Sequence, residues 1–449
     1  EQAVRLLRVA LSREDLLEPT VLDLGYALST GTPAWKLAEL IRRKKLSPVE
    51  LTDHLLRRID SVNPRLNAYL TVAHEQAMSA ARAAEAMLSR GDELPPLHGV
   101  PVSVKDLIWT KDLRTTAGSL IYKDFVPQDD ATLVERLRRA GAIILGKTNT
   151  PELGHSVTTE NRLGDHCRNP WNIERTSGGS SGGAAAATAA GLGPLAIGND
   201  GGGSIRIPAG FCGVFGLKPT NGLVSNYGCL GDMELFAAAG PITRTVRDAA
   251  LCLSVIAGHD PRDANSLRQR HPDFVRGLSR GVKGLRVAWS PDLGYARVDR
   301  EVLAAAKTAA YVFEDMGCHV EEATPATGEP FSVHNLITIA DDCAAIGELE
   351  EKHGDLMVGY VRSVVQHGRN ITGAEYSKAL RALERFKAQM AAFFERYDLL
   401  LTPTTAVPAF PVGQRPRTIE GAAVDRLWGA CPFSPAFNMT RQPAATVPC

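Results

Sequence analysis

The sequence lacks the cysteine and histidine patterns of a metal protein or a disulfide-stapled domain. Its eight cysteines are scattered over 449 residues, none forms a CxxC pair, and no histidine cluster has the spacing of a zinc site. Scattered cysteines in a long chain are more typical of a protein kept reduced than of a secreted disulfide framework. We therefore expect a cytoplasmic protein without a metal site.

Long apolar runs and an excess of charge of one sign are also absent. No run of about 18 apolar residues could span a bilayer, and 50 basic residues balance 50 acidic ones. Without a net charge the chain has no overall field to attract nucleic acid or an anionic membrane. Because 44% of its residues are hydrophobic, the chain can still bury a large core. We expect no membrane span and no nucleic-acid partner.

What is present is an alternation of strand and helix patterns. "GVPVSVKD" alternates Val100, Val102 and Val104, which predicts a strand ending at Lys105. "ATLVERLRRAGAIILGKTNT" predicts a helix, a stop at Gly141 and a short strand. Strands are predicted again at "GLRVAWS", "HVEEA" and "DLLLTPT", with helices near 299–316 and 375–396 between them. Strands separated by helices predict an α/β fold with a largely parallel sheet.

Thirteen of the 41 glycines lie between residues 176 and 216. A P-loop is excluded because no lysine follows these glycines, and the dinucleotide fingerprint fails on spacing. "GGSSG" matches the GxSxG elbow of α/β-hydrolases, but the residues before it are too polar for the apolar strand that this elbow needs. The interpretation that remains is an oxyanion hole, in which the N–H groups of Gly201, Gly202 and Gly203 face developing negative charge beside Ser204.

A serine nucleophile needs a base, and the residues alone leave its identity open. No histidine is close in sequence, although His98, His155 or His166 could fold toward the serine. Lys105 is a lysine candidate because α/β active sites collect at strand ends. A lysine base must be neutral, so its burial should lower its pKa. Lys147 and Lys218 compete with it, and Ser204 could equally be a helix N-cap.

The stretch 178–220, together with "GVPVSVKD", "GAIILGKTN" and "RNPWN" in the same order, resembles the amidase signature family. The resemblance is dense over about 35–260 and thinner beyond. It implies a Ser–cis-Ser–Lys triad that needs no metal or organic cofactor, with Ser204 as nucleophile, Ser180 after a cis peptide as the bridging serine, and Lys105 as base. The same motifs match three supporting residues: Ser181, Asp200 and Arg206.

The resemblance implies a hydrolase of amide C–N bonds acting through a serine acyl-enzyme. Small or aryl amides and carbamates (urethanes) are the expected substrates, with side esterase activity. Gly154 matches a position near the acyl pocket of the family, where a glycine would leave room. The expected assembly is a monomer or homodimer that binds a small-molecule substrate.

Two other functions stay open. One is a glutamine-hydrolysing amidotransferase subunit that supplies ammonia to a partner, although Ile207 stands where those subunits typically carry Gln. The other is a catalytically silent scaffold, against which the intact Lys105, Ser180 and Ser204 argue.

The predicted organisation is a single amidase signature domain over residues 35–449, preceded by an N-terminal helical extension over residues 1–34. The family fold has a large mixed, mostly parallel central sheet with helices on both faces. Its core is expected over 90–260, and a variable region at the substrate mouth over about 320–440. Two amphipathic helices are predicted within 35–72, the second beginning after an N-cap at Ser47. Family members usually continue past Cys449 with a further strand and a closing helix. Either this sequence is truncated, or this member lacks that strand, which would leave a sheet edge uncovered.

Overall fold

The computed structural model describes residues 31–231 and 235–449. In this part of the chain there are thirteen helices, numbered here in chain order: α1 (Ala34–Arg42), α2 (Pro48–Leu66), α3 (His74–Arg90), α4 (Thr132–Arg139), α5 (Gly182–Ala189), α6 (Arg206–Cys212), α7 (Val246–Ile256), α8 (Phe274–Gly277), α9 (Arg300–Asp315), α10 (Phe331–His353), α11 (Gly359–Gly368), α12 (Gly373–Phe394) and α13 (Pro435–Met439).

The same residues form fourteen strands: β1 (Tyr69–Val72), β2 (Pro101–Lys105), β3 (Ile143–Thr148), β4 (Arg168–Asn169), β5 (Asn172–Thr176), β6 (Leu195–Asp200), β7 (Phe215–Lys218), β8 (Ala238–Thr243), β9 (Arg286–Trp289), β10 (His319–Glu322), β11 (Leu399–Leu401), β12 (Thr418–Ile419), β13 (Ala422–Ala423) and β14 (Ala444–Thr446). The predicted strands at "GVPVSVKD", "GLRVAWS", "HVEEA" and "DLLLTPT" are β2, β9, β10 and β11.

The local signals at the predicted helices are also found. Ser47 caps α2, since its Oγ accepts hydrogen bonds from the backbone N–H groups of Val49 and Glu50 at 3.1 and 3.2 Å. The helices predicted near 299–316 and 375–396 are α9 and α12. Of the predicted N-terminal extension, residues 1–30 lie outside the described residues.

A seven-stranded sheet forms the centre of the fold, in the order β1-β3-β2-β6-β8-β7-β14. It is mixed and carries helices on both faces, as predicted, but it is parallel only in its middle. The pairs β3–β2 and β2–β6 are parallel, and the other four pairs are antiparallel. A parallel neighbour needs a long crossover. The described part of the loop between β7 and β8 contains no helix, and β8 returns between β6 and β7, antiparallel to both.

The two faces of this sheet carry different sets of side chains, because successive residues of a strand point to opposite sides. Val102, Val104 and Ile197 pack on one face with buried side chains of α4 and α7. On the other face, Ile143 and Leu145 pack with α2 and α3. The described residues contain no helix long and apolar enough to cross a membrane.

The later half of the chain adds a three-stranded parallel sheet, β10-β9-β11, and the helices α10 and α11. Helices α10 and α11 lie within the region, about 320–440, that the sequence predicts to form the variable mouth. Helix α10 buries His334, Thr338 and Asp342, which are four residues apart and so lie on one helix face.

The parallel pairing of β2 with β6 determines where the candidate site residues lie in the fold. Val104 lies opposite Ile197 in this pair, so the carboxyl ends of both strands reach the same edge of the sheet. Lys105 ends β2, and Asp200 ends β6. Ligand sites of open α/β sheets form at such an edge.

Candidate active site

Lys105 is fully buried at the end of β2 and faces two side chains. Its Nζ lies 2.6 Å from Ser180 Oγ and 2.7 Å from Asn199 Oδ1. An amide oxygen only accepts hydrogen bonds, so one N–H of the lysine is directed to Asn199 and the lone pair of the neutral amine is available to Ser180. Burial lowers the pKa of Lys105 to about 7, against the opposing effect of the Asp200 carboxylate.

Ser180 follows a cis peptide bond from Gly179, as the family resemblance implied. Its side chain is buried. Ser181 connects this segment to Ser204, because the Ser181 backbone N–H donates to the Ser204 carbonyl at 3.0 Å. The Ser181 hydroxyl donates to the Asn199 carbonyl at 3.3 Å. The segments that carry Ser180 and Ser204 therefore lie side by side at the carboxyl ends of the central strands.

Ser204 is half-buried at the end of the glycine run. Helix α6 begins at Arg206, its N-cap residue is Ile205, and no side chain caps it. The helix N-cap role that the sequence left open for Ser204 is therefore not found. The Ser204 hydroxyl is therefore available for a role other than helix capping.

Asp200 and Arg206 form a buried ion pair behind this serine. Arg206 donates to Asp200 from Nε and from Nη2, each at 2.9 Å. Burial alone would raise the pKa of Asp200, but the guanidinium and the hydrogen bonds from Arg206 and Asn438 hold it well below its usual range. Asn438 Nδ2 donates to the same carboxylate at 2.9 Å, which joins α13 to the pair. With Ser181, all three residues predicted to support the triad thus lie beside the candidate serines.

The glycine run is fixed through its carbonyl groups. The Gly201 carbonyl lies 3.1 Å from His334 Nε2, and the Gly202 carbonyl accepts the Ser434 hydroxyl at 2.7 Å. The Gly203 N–H donates to Asp200 Oδ1 at 2.7 Å. Among the described residues, the N–H groups of Gly201, Gly202 and Ser204 have no hydrogen-bond acceptor. The oxyanion-hole role predicted for Gly201 and Gly202 fits this geometry, whereas the Gly203 N–H already has an acceptor.

The competing lysines are buried as completely as Lys105, but neither contacts a serine. Lys147 Nζ donates to the hydroxyls of Thr110 and Thr115 at 3.0 and 2.9 Å. Lys218 Nζ donates to the Pro219 carbonyl and to Asn221 Oδ1, each at 3.0 Å. Burial lowers the pKa of Lys147 to about 8 and that of Lys218 to about 7. A lowered pKa therefore does not single out the base, and the hydrogen bond to Ser180 does.

The three candidate histidines have other partners in the described structure. His98 Nε2 lies 3.0 Å from the Ala84 carbonyl, and His166 lies 3.8 Å from a Glu160 oxygen. His155 Nδ1 lies 3.3 Å from an oxygen of Asp342 on α10. Burial lowers the pKa of His155 to about 4. These contacts leave Lys105 as the base candidate.

Gly154 lies against Ser180, and its role in an acyl pocket stays a prediction. A Cβ atom at this position would stand 3.4 Å from Ser180 Oγ and 2.9 Å from Leu107 Cδ1. Leu107 belongs to an apolar cluster that includes Leu153 and Leu230. We call these three leucines the apolar wall. The absence of a side chain at Gly154 permits this close approach of Leu107 and Ser180 to the glycine backbone.

Comparison with known proteins is consistent with this geometry. The family model described as Amidase matches residues 50–449. The chain belongs to the amidase signature family. It is 40% identical to an acylamidase of Rhodococcus erythropolis, over 92% of this chain and 88% of that one.

Two further relatives bear on the activity of the amidase. The structure of a bacterial aryl acylamidase superposes with a TM-score of 0.86 at 31% identity, covering 93% of this chain and 89% of that one. A glutamyl-tRNA(Gln) amidotransferase subunit of Carboxydothermus hydrogenoformans is 37% identical over 92% of this chain and 90% of its own. The predicted family, fold and amide-hydrolysing enzyme class are confirmed.

Four residues of the site were not predicted from the sequence. Asn199 precedes Asp200 in the "GNDGGGS" motif, and this position is the signal that could have identified it. His334, Ser434 and Asn438 reach the glycine run from more than 100 residues away, and no motif marks them. His334 and Ser434 contact backbone carbonyl groups of the run, and Asn438 contacts the carboxylate of Asp200, which precedes it. Contacts of this kind leave no pattern in the sequence.

Replacing Arg206 with leucine should strongly destabilise the amidase, because it leaves the Asp200 carboxylate buried without its cation. We expect a loss of about 3–5 kcal/mol in the free energy of unfolding, measured by chemical denaturation. The control is Arg300→Leu, which removes an exposed ion pair with Glu420 and should cost less than about 1 kcal/mol. Equal losses in the two variants would contradict the role assigned to the buried pair.

The amide-hydrolysing rate should rise with pH through about 7, because Lys105 accepts a proton only when neutral and burial lowers its pKa to about 7. Below that pH the protonated lysine should leave kcat/KM falling about tenfold per unit. The measurement is a pH profile of a chromogenic amide with chemistry rate-limiting. The residual activity of Lys105→Ala should lack this step. A flat profile for the unchanged enzyme from pH 5.5 to 9 would contradict the assignment.

Proposed function

We propose that this amidase hydrolyses linear amide bonds through an acyl-enzyme on Ser204, with Ser180 as proton relay and Lys105 as base. The observation that carries the proposal is the 2.6 Å contact between Lys105 Nζ and Ser180 Oγ in a fully buried position. A neutral amine at this distance can take the Ser180 proton. Ser180 in turn can take the proton of Ser204, whose segment is hydrogen-bonded to that of Ser180.

In the first half of the reaction the Ser204 oxygen attacks the carbonyl carbon and its proton passes to Ser180 while Lys105 takes the Ser180 proton. A C–O bond forms and the carbonyl oxygen becomes an oxyanion. When the tetrahedral intermediate collapses, the C–N bond breaks, and the proton returns through Ser180 to the departing nitrogen. Water then attacks the acyl-enzyme by the same relay, which releases the acid and restores Ser204.

The oxyanion would be held by backbone N–H groups of the glycine run. Gly201 and Gly202 offer N–H groups without acceptors among the described residues, directly before the nucleophile. Donors positioned where charge develops are worth about 10² to 10³ in rate. The buried Asp200–Arg206 pair supports this arrangement, since Asp200 fixes the backbone of Gly203 and of Ile205.

The apolar wall favours substrates with an apolar acyl group. Leu107 stands beside Gly154, which lies against Ser180, and the leucine side chain carries no polar atom that would recognise a charged substrate. We propose small or aryl amides, and the corresponding carbamates, as substrates, with side activity on esters. The acylamidase and aryl acylamidase relatives support the amide part of this proposal.

A second candidate function is glutamine hydrolysis for a partner subunit, favoured by the amidotransferase relative. Ile207 argues against it. Its side chain is buried in an apolar cluster with Phe211 and Trp428, and a Cβ on Gly203 would lie 2.6 Å from its Cδ1. The position where those subunits typically carry Gln is thus apolar and directly beneath the glycine run. Glutaminase activity exceeding hydrolysis of apolar amides would reverse this preference.

The proposal places the amidase in the cytoplasm as a monomer or homodimer. All eight cysteines are free in the described structure, which is the state expected of a reduced compartment. Sedimentation of the purified protein would give the oligomeric state.

Ser204→Ala should abolish acyl-enzyme formation, since it removes the oxygen proposed to attack the carbonyl carbon. A serine-directed fluorophosphonate should label the unchanged enzyme at Ser204, as located by peptide mass spectrometry, and should not label the variant. Ser180→Ala and Lys105→Ala should slow acylation by about 10² to 10⁴. The control is Ser254→Ala on α7, whose hydroxyl bonds only the backbone of its own helix. Label on Ser180, or full labelling of the variant, would contradict the assignment.

Gly154→Ala should narrow the acyl pocket, because the new methyl group meets both Leu107 and Ser180. For 4-nitroanilides of graded acyl length we expect kcat/KM to fall at least about tenfold more for hexanoyl than for acetyl. Gly154 has a positive φ of 80°, so the control must carry similar backbone strain. Gly328→Ala does so at φ 70° in open space. An equal loss for all acyl lengths would contradict a pocket role.

A further inference from the structure

His334 on α10 is buried and contacts the glycine run, and the reaction described above does not use it. Its Nε2 lies 3.1 Å from the Gly201 carbonyl, 133 residues away in the chain. A carbonyl oxygen only accepts, so Nε2 carries the hydrogen. Burial lowers the pKa of His334, which keeps the ring neutral near pH 7 with this hydrogen in place.

The imidazole is held on two sides by aromatic rings. It stacks on Phe236 with centroids 5.1 Å apart, and meets Trp428 edge-on at 5.4 Å. Gly202 lies on the same surface, since a Cβ there would stand 2.8 Å from Trp428 and 3.5 Å from His334 Cε1. The histidine is therefore a fixed donor rather than one that swings to meet the carbonyl.

The two peptide groups of the run are held differently. The Gly202–Gly203 peptide is bonded at both ends, by Ser434 at its carbonyl and by Asp200 at its N–H. The Gly201–Gly202 peptide is bonded at its carbonyl by His334, and its N–H has no acceptor among the described residues. In a trans peptide the C=O and N–H point in opposite directions. Holding the Gly201 carbonyl thus sets the direction of the Gly202 N–H.

We propose that His334 is a positioning residue for catalysis: by holding the Gly201 carbonyl it aims the Gly202 N–H at the oxyanion. This proposal rests on the proposed function, because it needs an oxyanion to form on a Ser204 adduct. Its consequence is specific. Loss of the histidine donor should weaken binding of the transition state and leave binding of the ground state almost unchanged.

The test compares variants that keep or lose the donor. His334→Gln carries an amide N–H near the position of Nε2, whereas the shorter His334→Asn cannot reach Gly201. With 4-nitroacetanilide we expect kcat to fall 10- to 100-fold in His334→Asn, with KM changing less than threefold. His334→Gln should recover kcat to within about fivefold of the unchanged enzyme. Thr308→Val on α9 removes a hydroxyl that bonds only the Ala304 carbonyl of its own helix, and should behave as the unchanged enzyme.

A transition-state analogue separates positioning from a purely structural role. The trifluoromethyl ketone 1,1,1-trifluoro-4-phenylbutan-2-one can form a hemiketal with Ser204, and its Ki should rise in His334→Asn by the same factor as kcat falls. Equal kcat for the Gln and Asn variants, or an unchanged Ki, would overturn the proposal. Failure of the fluorophosphonate to label Ser204 in the unchanged enzyme would instead overturn the proposed function, so the two failures are distinguishable.

Discussion

The carboxylate of Asp200 is buried at the end of β6, and a charge in that position persists only where it is fully paired. Its partners are the Arg206 guanidinium, Asn438 of α13, and the backbone N–H groups of Gly203 and Ile205. Satisfying this one charge therefore bends the chain after β6 into the turn that carries Ser204. The hydrogen bond from Asn438 to the same carboxylate also attaches helix α13 to the site. The turn is therefore fixed both by its own backbone N–H groups and by α13.

Three lysines are buried in the described part of the fold, and their contacts distinguish the candidate base from the other two. Burial lowers the pKa of Lys105, Lys147 and Lys218 alike, to about 7, about 8 and about 7. Lys147 and Lys218 direct their hydrogens to hydroxyl, carbonyl and amide oxygens that link neighbouring loops. Lys105 alone of the three contacts Ser180. Neutrality is necessary for a base, and the neighbouring group determines whether it is used.

The sequence predicted the parts of the site whose residues lie in short motifs that follow one another in a fixed order along the chain. A strand ending at Lys105 and the ordered glycine and serine motifs were sufficient to place the candidate base, both serines and the Asp200–Arg206 pair. They could not predict His334, Ser434 or Asn438, because these residues reach the site through packing of distant helices. The sheet was predicted as mostly parallel because helix and strand patterns alternate. The return of β8 between β6 and β7 depends on a loop path that this alternation does not encode.

Helix α10 lies in the region where the family resemblance is weakest, yet one of its faces contacts two segments of the candidate site. His334 holds the Gly201 carbonyl, and two turns further along Asp342 pairs with His155, the neighbour of Gly154. Under the proposed function, a change in α10 that alters the predicted substrate mouth would also move the group that holds the Gly201 carbonyl. The proposals together imply that binding and turnover are coupled through this helix, because the same rigid element would border the substrate site and orient the backbone that stabilises the transition state.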